Sequence, residues 1–334
     1  MNSFGKILTL TTFGESHGTA MGGVLDGMPA GVLIDLDALQ RFVERRRTGK
    51  TVGSSARDEE DRVELLSGLY LGKTLGTPIG FLVRNTNAHS ADYDEIAQCY
   101  RPNHADYTWQ TKYGIRDPRG GGRASARETV ARVVAGGIAI QALNQLGITI
   151  EFQVSQVGPD LTPDEMERAI LKAASEGDTL GGIISCAIKG VPAGLGEPIF
   201  GKLHAQLAAA MMSIPSVHGF EYGDGFEMST KRGSEMTDLF EKRDDGTIGT
   251  VTNHSGGIQG GISNGEDITM RIAFKPVPTL MREVPTVDLE GKPTTLHSRG
   301  RHDVCVLSRA LPIVEAMAAL VILDNYLIKK TNVL

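Results

Sequence analysis

The stretch Arg119-Gly120-Gly121-Gly122-Arg123-Ala124-Ser125-Ala126-Arg127-Glu128 carries the main structural signal of this chain. Three glycines lead directly into an apolar segment, whose periodicity predicts a helix over about residues 126–146. Ser125, followed three residues later by Glu128, has the pattern of a capping box, so Ser125 is the predicted N-cap. Because alanine and glycine fill much of this segment, the helix can approach its neighbours closely. We therefore expect it inside the protein.

The charges at the start of this helix predict an anion site. A helix N-terminus carries partial positive charge and favours anions. Here Arg119, Arg123 and Arg127 surround that end, where they repel the dipole and one another. A multiply charged anion among them, most often phosphate, explains the arrangement. The alternative is a solvated basic loop, against which the interleaved glycines count, because they let backbone approach a ligand.

Composition sets the broad class. The chain has 334 residues, 40% of them hydrophobic, and a net charge of -6. That length supports a well-buried core, and we expect a single domain over residues 1–334. An acidic protein has no overall attraction to nucleic acid, so any anion site must be a local basic patch.

Compartment and membrane signals point to a cytoplasmic protein. Cys99, Cys186 and Cys305 are far apart and lack metal-ligand spacing, which favours reduced thiols. The N-terminus lacks the pattern of a signal peptide. The longest apolar run, residues 316–323, is too short to span a bilayer.

Two further loops carry candidate acid–base groups. His17 lies in a turn-prone tip with Glu15, Ser16 and two glycines, the local chemistry of a poised acid or base, although a solvated histidine is the alternative. His104 lies two residues before Asp106, which we expect to fix its tautomer and raise its pKa. A satisfied loop histidine is the equal alternative there.

Other basic and glycine-rich segments flank predicted helices. Arg45-Arg46-Arg47 ends a helix that Asp37 is expected to cap, where cations also favour the dipole without any ligand. Residues 253–265 are rich in glycine, which we interpret as a cofactor surface. A basic turn at 299–303 precedes a second apolar helix, predicted over 311–328. This repetition indicates an internal duplication, although the residues do not align well enough to establish one. Short strands broken by glycine predict antiparallel sheet.

Three motifs together resemble the chorismate synthase family. They are Gly-Glu-Ser-His-Gly around residue 17, Arg-Gly-Gly-Gly-Arg-Ala-Ser-Ala-Arg-Glu ending at Glu128, and Gly-Arg-His-Asp ending at Asp303. The His-Ala-Asp loop at residue 104 and Lys275-Pro276 add to the match. The similarity extends over residues 5–325, and the order of the motifs makes it highly specific.

The resemblance implies an activity and a fold. The family converts 5-enolpyruvylshikimate 3-phosphate into chorismate and phosphate, the last shared step toward aromatic amino acids in the shikimate pathway. The reaction is an anti 1,4-elimination that needs reduced FMN although it involves no net redox change. The family fold is α+β, a helical layer sandwiched between two antiparallel β-sheets, and the family assembles as a homotetramer.

The resemblance also implies residue roles. His17 would protonate or neutralise the leaving phosphate, His104 would interact with the reduced flavin, and Asp303 would assist flavin N5 in taking the C6 proton. Ser16 and Ser125 would relay protons or only cap and orient. The implied substrate-binding residues are Arg46, Arg47, Arg123, Arg127 and Arg301, with Arg101 as an outer candidate. The implied FMN contacts are Arg46, Arg123, Ala124, Ser125, Pro215, Ser216, Gly260, Lys275, Pro276, Val277, Pro278, Thr279 and Arg301.

Some positions depart from the family pattern. Ala124 replaces a common serine, Val52 a common arginine and Pro215 a common asparagine, while Val277 and Pro278 interrupt a hydroxyl-rich contact. These departures affect single cofactor contacts. Chain length is similar to that of members that depend on an external flavin reductase, with NADPH as an indirect reductant.

Two rival functions differ in what they would bind. A flavin-dependent reductase of a phosphorylated ligand would oxidise NAD(P)H steadily. A non-enzymatic anion-binding scaffold would recruit nucleic acid or acidic proteins, which the acidic net charge and the lack of interleaved aromatic residues disfavour.

Overall fold

A computed structural model describes residues 1–47, 60–86, 97–297 and 303–332. Its helices are α1 (Leu36–Glu44), α2 (Asp106–Tyr113), α3 (Thr129–Gln145), α4 (Pro163–Ser175), α5 (Leu203–Met212) and α6 (Leu307–Thr331). Its strands are β1 (Ser3–Phe4), β2 (Thr9–Phe13), β3 (Ala20–Asp26), β4 (Val63–Leu65), β5 (Leu69–Tyr70), β6 (Lys73–Thr74), β7 (Ile79–Arg84), β8 (Thr149–Val157), β9 (Gly182–Lys189), β10 (Val217–Tyr222), β11 (Phe240–Lys242), β12 (Ile248–Thr250), β13 (Ile258–Gln259), β14 (Ile262–Ser263), β15 (Ile268–Phe274), β16 (Glu283–Val287) and β17 (Pro293–His297).

Two antiparallel sheets form the outer layers. The first has five strands in the order β1-β2-β3-β7-β4, and the second has four in the order β10-β15-β9-β8. Every adjacent pair is antiparallel. The antiparallel sheet that the short, glycine-broken strands predict is therefore confirmed.

The helices α3 and α6 lie between these sheets. Helix α3 contacts β2, β3 and β7 of the first sheet, while α6 contacts β8 and β9 of the second. The two helices also pack against each other. This arrangement confirms the predicted α+β fold with a helical layer between two sheets.

Small residues set the distance between α3 and α6. A Cβ atom added at Gly136 would lie 2.2 Å from Cβ of Ala316 and 2.3 Å from its Cα, so the backbones approach where neither helix has a bulky side chain. Side chains along α3 such as Val130, Val134 and Ile138 are fully buried. The expectation of an interior helix, drawn from its small residues, is confirmed.

The start of α3 differs from the predicted capping box. Ser125 is the N-cap of a short 3₁₀ turn, Ala126–Glu128, and its Oγ accepts a hydrogen bond from the Arg127 backbone N–H at 3.3 Å. Glu128 instead pairs with Arg132, one turn along, with a nitrogen–oxygen distance of 2.8 Å. The predicted cap is confirmed and the reciprocal bond is wrong, because Arg132 offers Glu128 a charged partner at i+4 spacing.

Two other helix starts lie earlier than predicted. Asp35, and not Asp37, caps α1, because its Oδ1 accepts from the Ala38 backbone N–H at 2.9 Å. Helix α6 begins at Leu307 and has 25 residues, so by length and composition it could cross a membrane. However, 78% of its most apolar window is buried inside the protein, as in the core helix of a soluble protein.

Cys99, Cys186 and Cys305 are buried and are not in disulfide bonds among the described residues, consistent with the predicted reduced thiols. Burial raises the pKa of the Cys186 and Cys305 thiols, which makes them poor nucleophiles. The single domain over residues 1–334 and the internal duplication stay predictions.

Gly136→Ala tests the close contact of α3 and α6. The added methyl group would overlap the Ala316 backbone, and we expect it to lower the free energy of unfolding by about 1–3 kcal/mol, although alanine is the better helix former. Gly233→Ala is the matched control, since no atom lies within 4 Å of its added Cβ. Urea unfolding followed by circular dichroism measures both; equal stability of the two variants would contradict close packing at Gly136.

Candidate functional site

A cavity of about 1090 Å³ lies where α3 and α6 begin. Segments from distant parts of the chain converge on it: the tip 15–18, the residues after α1, the loop 101–106, the glycine run, and residues 275–279. The sequence-predicted residues on its lining are Ser16, Arg46, Arg47, Arg101, His104, Arg123, Ala124, Ser125, Arg127, Pro215, Ser216, Lys275, Val277, Pro278, Thr279 and Asp303. One site therefore collects most of the candidates.

Three candidates are not on this lining, and a fourth falls outside the described residues. His17 is behind the lining, although its neighbours Ser16 and Gly18 are on it. Pro276 and Gly260 are not on the lining among the described residues, and Arg301 lies outside the ranges that the structure describes. The family departure at Val52 also lies outside those ranges.

The glycine run forms a thin cover over the tip. Gly120, Gly121 and Gly122 have φ values of +58°, +81° and +53°, a region that other residues rarely adopt. A Cβ atom at Gly120 would lie 2.4 Å from Nδ1 of His17 and 2.8 Å from Oγ of Ser16. The Ser16 backbone N–H also donates to the Gly122 carbonyl at 3.1 Å. Glycine is thus needed because the loop lies directly on the serine and histidine of the tip.

Asp61 holds two of the predicted arginines. Its Oδ2 accepts from Nη1 of Arg46 at 3.1 Å, and its Oδ1 accepts from Nη1 of Arg127. All three side chains are almost completely buried. Arg46 and Arg127 therefore form a fixed cationic wall with an internal counterion, which the sequence analysis did not identify. The acidic run that precedes β4 gave no indication of which carboxylate would be buried.

The three arginines of the predicted phosphate cluster around the α3 start have different partners within the protein. Arg119 is exposed and pairs with Asp117 at 2.9 Å, and this hydrogen bond lowers the pKa of Asp117. Arg123 lines the cavity and donates to neutral oxygens, including the Thr12 carbonyl at 3.0 Å. Arg119, Arg123 and Arg127 nevertheless all line the same cavity, so an anion bound among them stays a prediction.

The loop at His104 differs from its prediction. Asp106 pairs with Arg101 at 2.7 Å and with Arg116 at 3.3 Å, and not with His104. Burial would raise the pKa of Asp106, but hydrogen bonds and charge from Arg101 outweigh it and lower that pKa. Burial lowers the pKa of His104 to about 4, and the positive charge of Arg101 adds to the shift. The expected rise in the pKa of His104 is therefore wrong, because the two arginines occupy the carboxylate.

Hydrogen bonds define the tautomer of this neutral histidine. Its Nδ1 lies 3.1 Å from the Pro102 carbonyl, which can only accept, so Nδ1 carries the proton. Its Nε2 lies 3.1 Å from Oγ1 of Thr279 and accepts from that hydroxyl. Lys275 also donates to the Asn103 carbonyl at 3.0 Å. These contacts join the loop at His104 to the 275–279 segment along one wall of the cavity.

Asp303 lies at the opposite end of the sequence and has its own cation. Its Oδ2 accepts from Nη1 of Arg309, which the sequence analysis missed. The Nε of Arg309 donates to the Arg46 carbonyl at 3.2 Å. Asp303 is therefore held between the start of α6 and the end of α1, and it faces the same cavity as Ser16.

The second glycine-rich segment, residues 253–265, contains a short β-hairpin and a close backbone contact. Residues 258–263 form the hairpin of β13 and β14. A Cβ atom at Gly257 would lie 2.6 Å from the Asp267 carbonyl oxygen, so this glycine permits close contact of two backbone segments. Residues 253–265 are not on the cavity lining. No atom lies within 4 Å of a Cβ added at Gly260, so its contact with a cofactor stays a prediction.

Comparisons with known proteins identify the family of this chain. A family model described as chorismate synthase matches residues 8–327. The chorismate synthase of Parabacteroides distasonis is 56% identical, with 99% of each chain covered, and that of Phocaeicola vulgatus is 54% identical with the same coverage. A crystal structure of a chorismate synthase superimposes with a TM-score of 0.76 at 28% identity, covering 98% of this chain and 93% of that one. The chain therefore belongs to the chorismate synthase family.

Proposed function

We propose that this cavity performs the family's anti 1,4-elimination through the residues on and directly behind its lining. Membership makes the chain a carbon–oxygen lyase that produces chorismate in aromatic amino acid biosynthesis. The observation that carries the residue assignment is the convergence of Ser16, the Arg46–Arg127 wall and Asp303 on one cavity.

The arginines hold the substrate. 5-Enolpyruvylshikimate 3-phosphate carries a phosphate and two carboxylates, so its site needs several cations at fixed positions. Arg46 and Arg127 are immobilised by Asp61, and Arg123 is immobilised by oxygens of β2. Arg47 and Arg101 line the same cavity. Fixed guanidinium groups orient the trianion before reaction, which lowers the entropic cost of the elimination.

The tip supplies the group that neutralises the leaving phosphate. Ser16 is 1% exposed, and its Oγ has no hydrogen-bond partner in the described residues. A buried hydroxyl of this kind is expected to find its partner in a bound ligand. His17 adjoins Ser16, and we assign His17 as the proton donor to the phosphate oxygen. Ser16 lies between His17 and the substrate in this assignment. Ser125 has the structural role of N-cap.

The cavity residues fit a reduced flavin. The lining combines cations such as Lys275 with apolar side chains such as Trp109 and Val277, which suits an anionic tail and a flat ring. When bound, reduced flavin supplies an electron-rich ring that assists loss of the C6 hydrogen without net oxidation. His104, neutral and held by Thr279, would orient a polar edge of such a ring, and the Asp303 carboxylate would assist the ring in taking the C6 proton.

Several finer assignments belong to the same proposal. The flavin is FMN, with contacts from Arg46, Arg123, Ala124, Ser125, Pro215, Ser216, Lys275 and Val277 to Thr279. Pro276, Gly260 and Arg301 remain family-based contacts. An external flavin reductase, with NADPH as the indirect reductant, keeps FMN reduced, and the active form is a cytoplasmic homotetramer. A flavin-dependent reductase or an anion-binding scaffold is not favoured, since the family match covers residues 8–327.

His17→Ala and Asp303→Ala test the acid–base assignment. With substrate and chemically reduced FMN in the absence of oxygen, wild type should release phosphate and form chorismate. Each variant should lose about 10²–10⁴-fold in kcat, the usual contribution of a positioned acid or base. Circular dichroism checks folding, and His218→Ala, an exposed histidine outside the lining, is the control. Full activity in both variants would refute the assigned roles.

Replacing the chemical reductant of FMN, dithionite, by NADPH tests whether this chain depends on an external flavin reductase. Without added reductase, we expect no anaerobic turnover with NADPH and oxidised FMN, and full turnover once a flavin reductase is added. Phosphate release, measured colorimetrically, follows both reactions. Turnover with NADPH alone would mean that this chain reduces its own flavin.

The protonation of His104 gives a pH test. Its folded pKa of about 4 lies below the ordinary value of 6.5, so unfolded chains bind more protons between these values. His104 should therefore contribute stability above about pH 6.5 that is lost as pH falls toward 4. Thr279→Val removes the donor to neutral Nε2 and should raise the pKa, as NMR titration of the ring will measure. An unchanged ring titration in Thr279→Val would argue against this hydrogen bond.

A further inference from the structure

Asp61 occupies an unusual backbone position beside the cavity. It has a φ of +47°, which is uncommon for any residue except glycine and is best tolerated by asparagine and aspartate. Its side chain is 2% exposed and it lines the cavity. Strained residues persist where their surroundings fix them, and they cluster at functional sites.

A glutamine from α1 fixes this conformation. Nε2 of Gln40 donates to the Asp61 carbonyl at 3.3 Å, and its Oε1 accepts from the Val63 backbone N–H at 3.1 Å. Gln40 therefore bridges the residues on both sides of Arg62. Arg46 follows the same helix. Helix α1 therefore positions both Asp61, through Gln40, and Arg46, one of its guanidinium partners.

Other hydrogen bonds of the two arginines, within the described residues, go to neutral groups. Nε of Arg46 donates to Oγ1 of Thr129 at 3.0 Å, and Nε of Arg127 donates to Oδ1 of Asn85 at 2.9 Å. Among the hydrogen bonds and ion pairs described for this pair, Asp61 supplies the negative charge. The trio thus carries one net positive charge, where two arginines alone would carry two.

We propose that Asp61 is a positioning residue that sets both the geometry and the charge of the Arg46–Arg127 wall. It holds two like-charged guanidinium groups side by side, and it limits the attraction of the wall for anions. That limit matters because the reaction releases inorganic phosphate, which must leave a cavity rich in arginine. This inference rests on the proposed role of Arg46 and Arg127 in anion binding.

Asp61→Asn separates these effects, since it keeps the shape and removes the charge. The cluster gains one positive charge, and we expect inorganic phosphate to bind about 3- to 10-fold more tightly, as one charge about 4 Å away implies at the dielectric constant of water. The asparagine amide can accept from only one of the two guanidinium groups, so the other loses its position and kcat should fall at least about 10-fold. Calorimetry of the flavin-free full chain with inorganic phosphate measures the first effect. Trp109 is the sole tryptophan and lines the cavity, so its fluorescence gives a local signal for the same phosphate binding.

Two matched variants serve as controls. Thr129→Val removes a neutral partner of Arg46 and leaves the charge unchanged. Glu64→Gln removes a nearby carboxylate that pairs with Arg84 on the surface, away from the lining. We expect neither to tighten phosphate binding. A merely structural role of Asp61 would lower stability and the active fraction without tightening phosphate.

Each outcome decides the proposal. Suppose that the wild type binds phosphate and that folded Asp61→Asn binds it equally or more weakly. This result overturns the inference and leaves the proposed function standing. A wild-type that neither binds phosphate nor turns over contradicts both. If Asp61→Asn does not fold, Asp61→Glu decides. It keeps the charge and displaces the carboxylate, so kcat should fall with unchanged phosphate affinity, and a wild-type kcat would overturn the inference.

Discussion

The close approach of α3 and α6 is the constraint on which the site depends. Gly136 and Ala316 let the helix backbones meet, and each helix begins at the cavity. The first helix follows the glycine run, and the second follows Asp303. Because the paired helices are buried between two sheets, their starting points are fixed relative to each other. Residues almost two hundred positions apart in sequence can therefore act on one ligand.

Charge compensation is the second constraint on the cavity. Buried cations are costly unless they are paired and hydrogen-bonded. Here Asp61, Asp106 and Asp303 each hold at least one arginine, while Arg123 relies on neutral oxygens of β2. The cavity is consequently cationic without being a collection of loose side chains. Arginines that are already oriented suit the recognition of a rigid trianion better than flexible surface cations would.

Sequence reasoning predicted the features that depend on local pattern. The buried α3 and its Ser125 cap follow from small-residue composition and capping chemistry, both of which act within a few residues. The partners of the arginines could not be predicted this way. Asp61 reaches Arg127 across 66 positions, and the assumed partnership of His104 with Asp106 failed because Arg116 and Arg101 compete for that carboxylate. The tight backbone contact of Gly257 could not be foreseen either, because glycine at a ligand and glycine at a backbone contact look the same in sequence.

Helix α6 also explains how the tip of the first sheet is held in place. Near its C-terminal end, the Asp324 carboxylate accepts from the backbone N–H groups of Lys6, Ile7 and Leu8 at 2.8–3.0 Å. These residues precede β2, and the far end of β2 leads to Ser16. About two turns from its start, Glu315 of the same helix binds Arg45 at 2.5 Å, next to the Arg46–Arg127 wall. A single helix thus anchors the tip, the arginine wall and Asp303. The catalytic geometry is therefore a property of the core, and a change inside α6 far from the cavity would disturb all three.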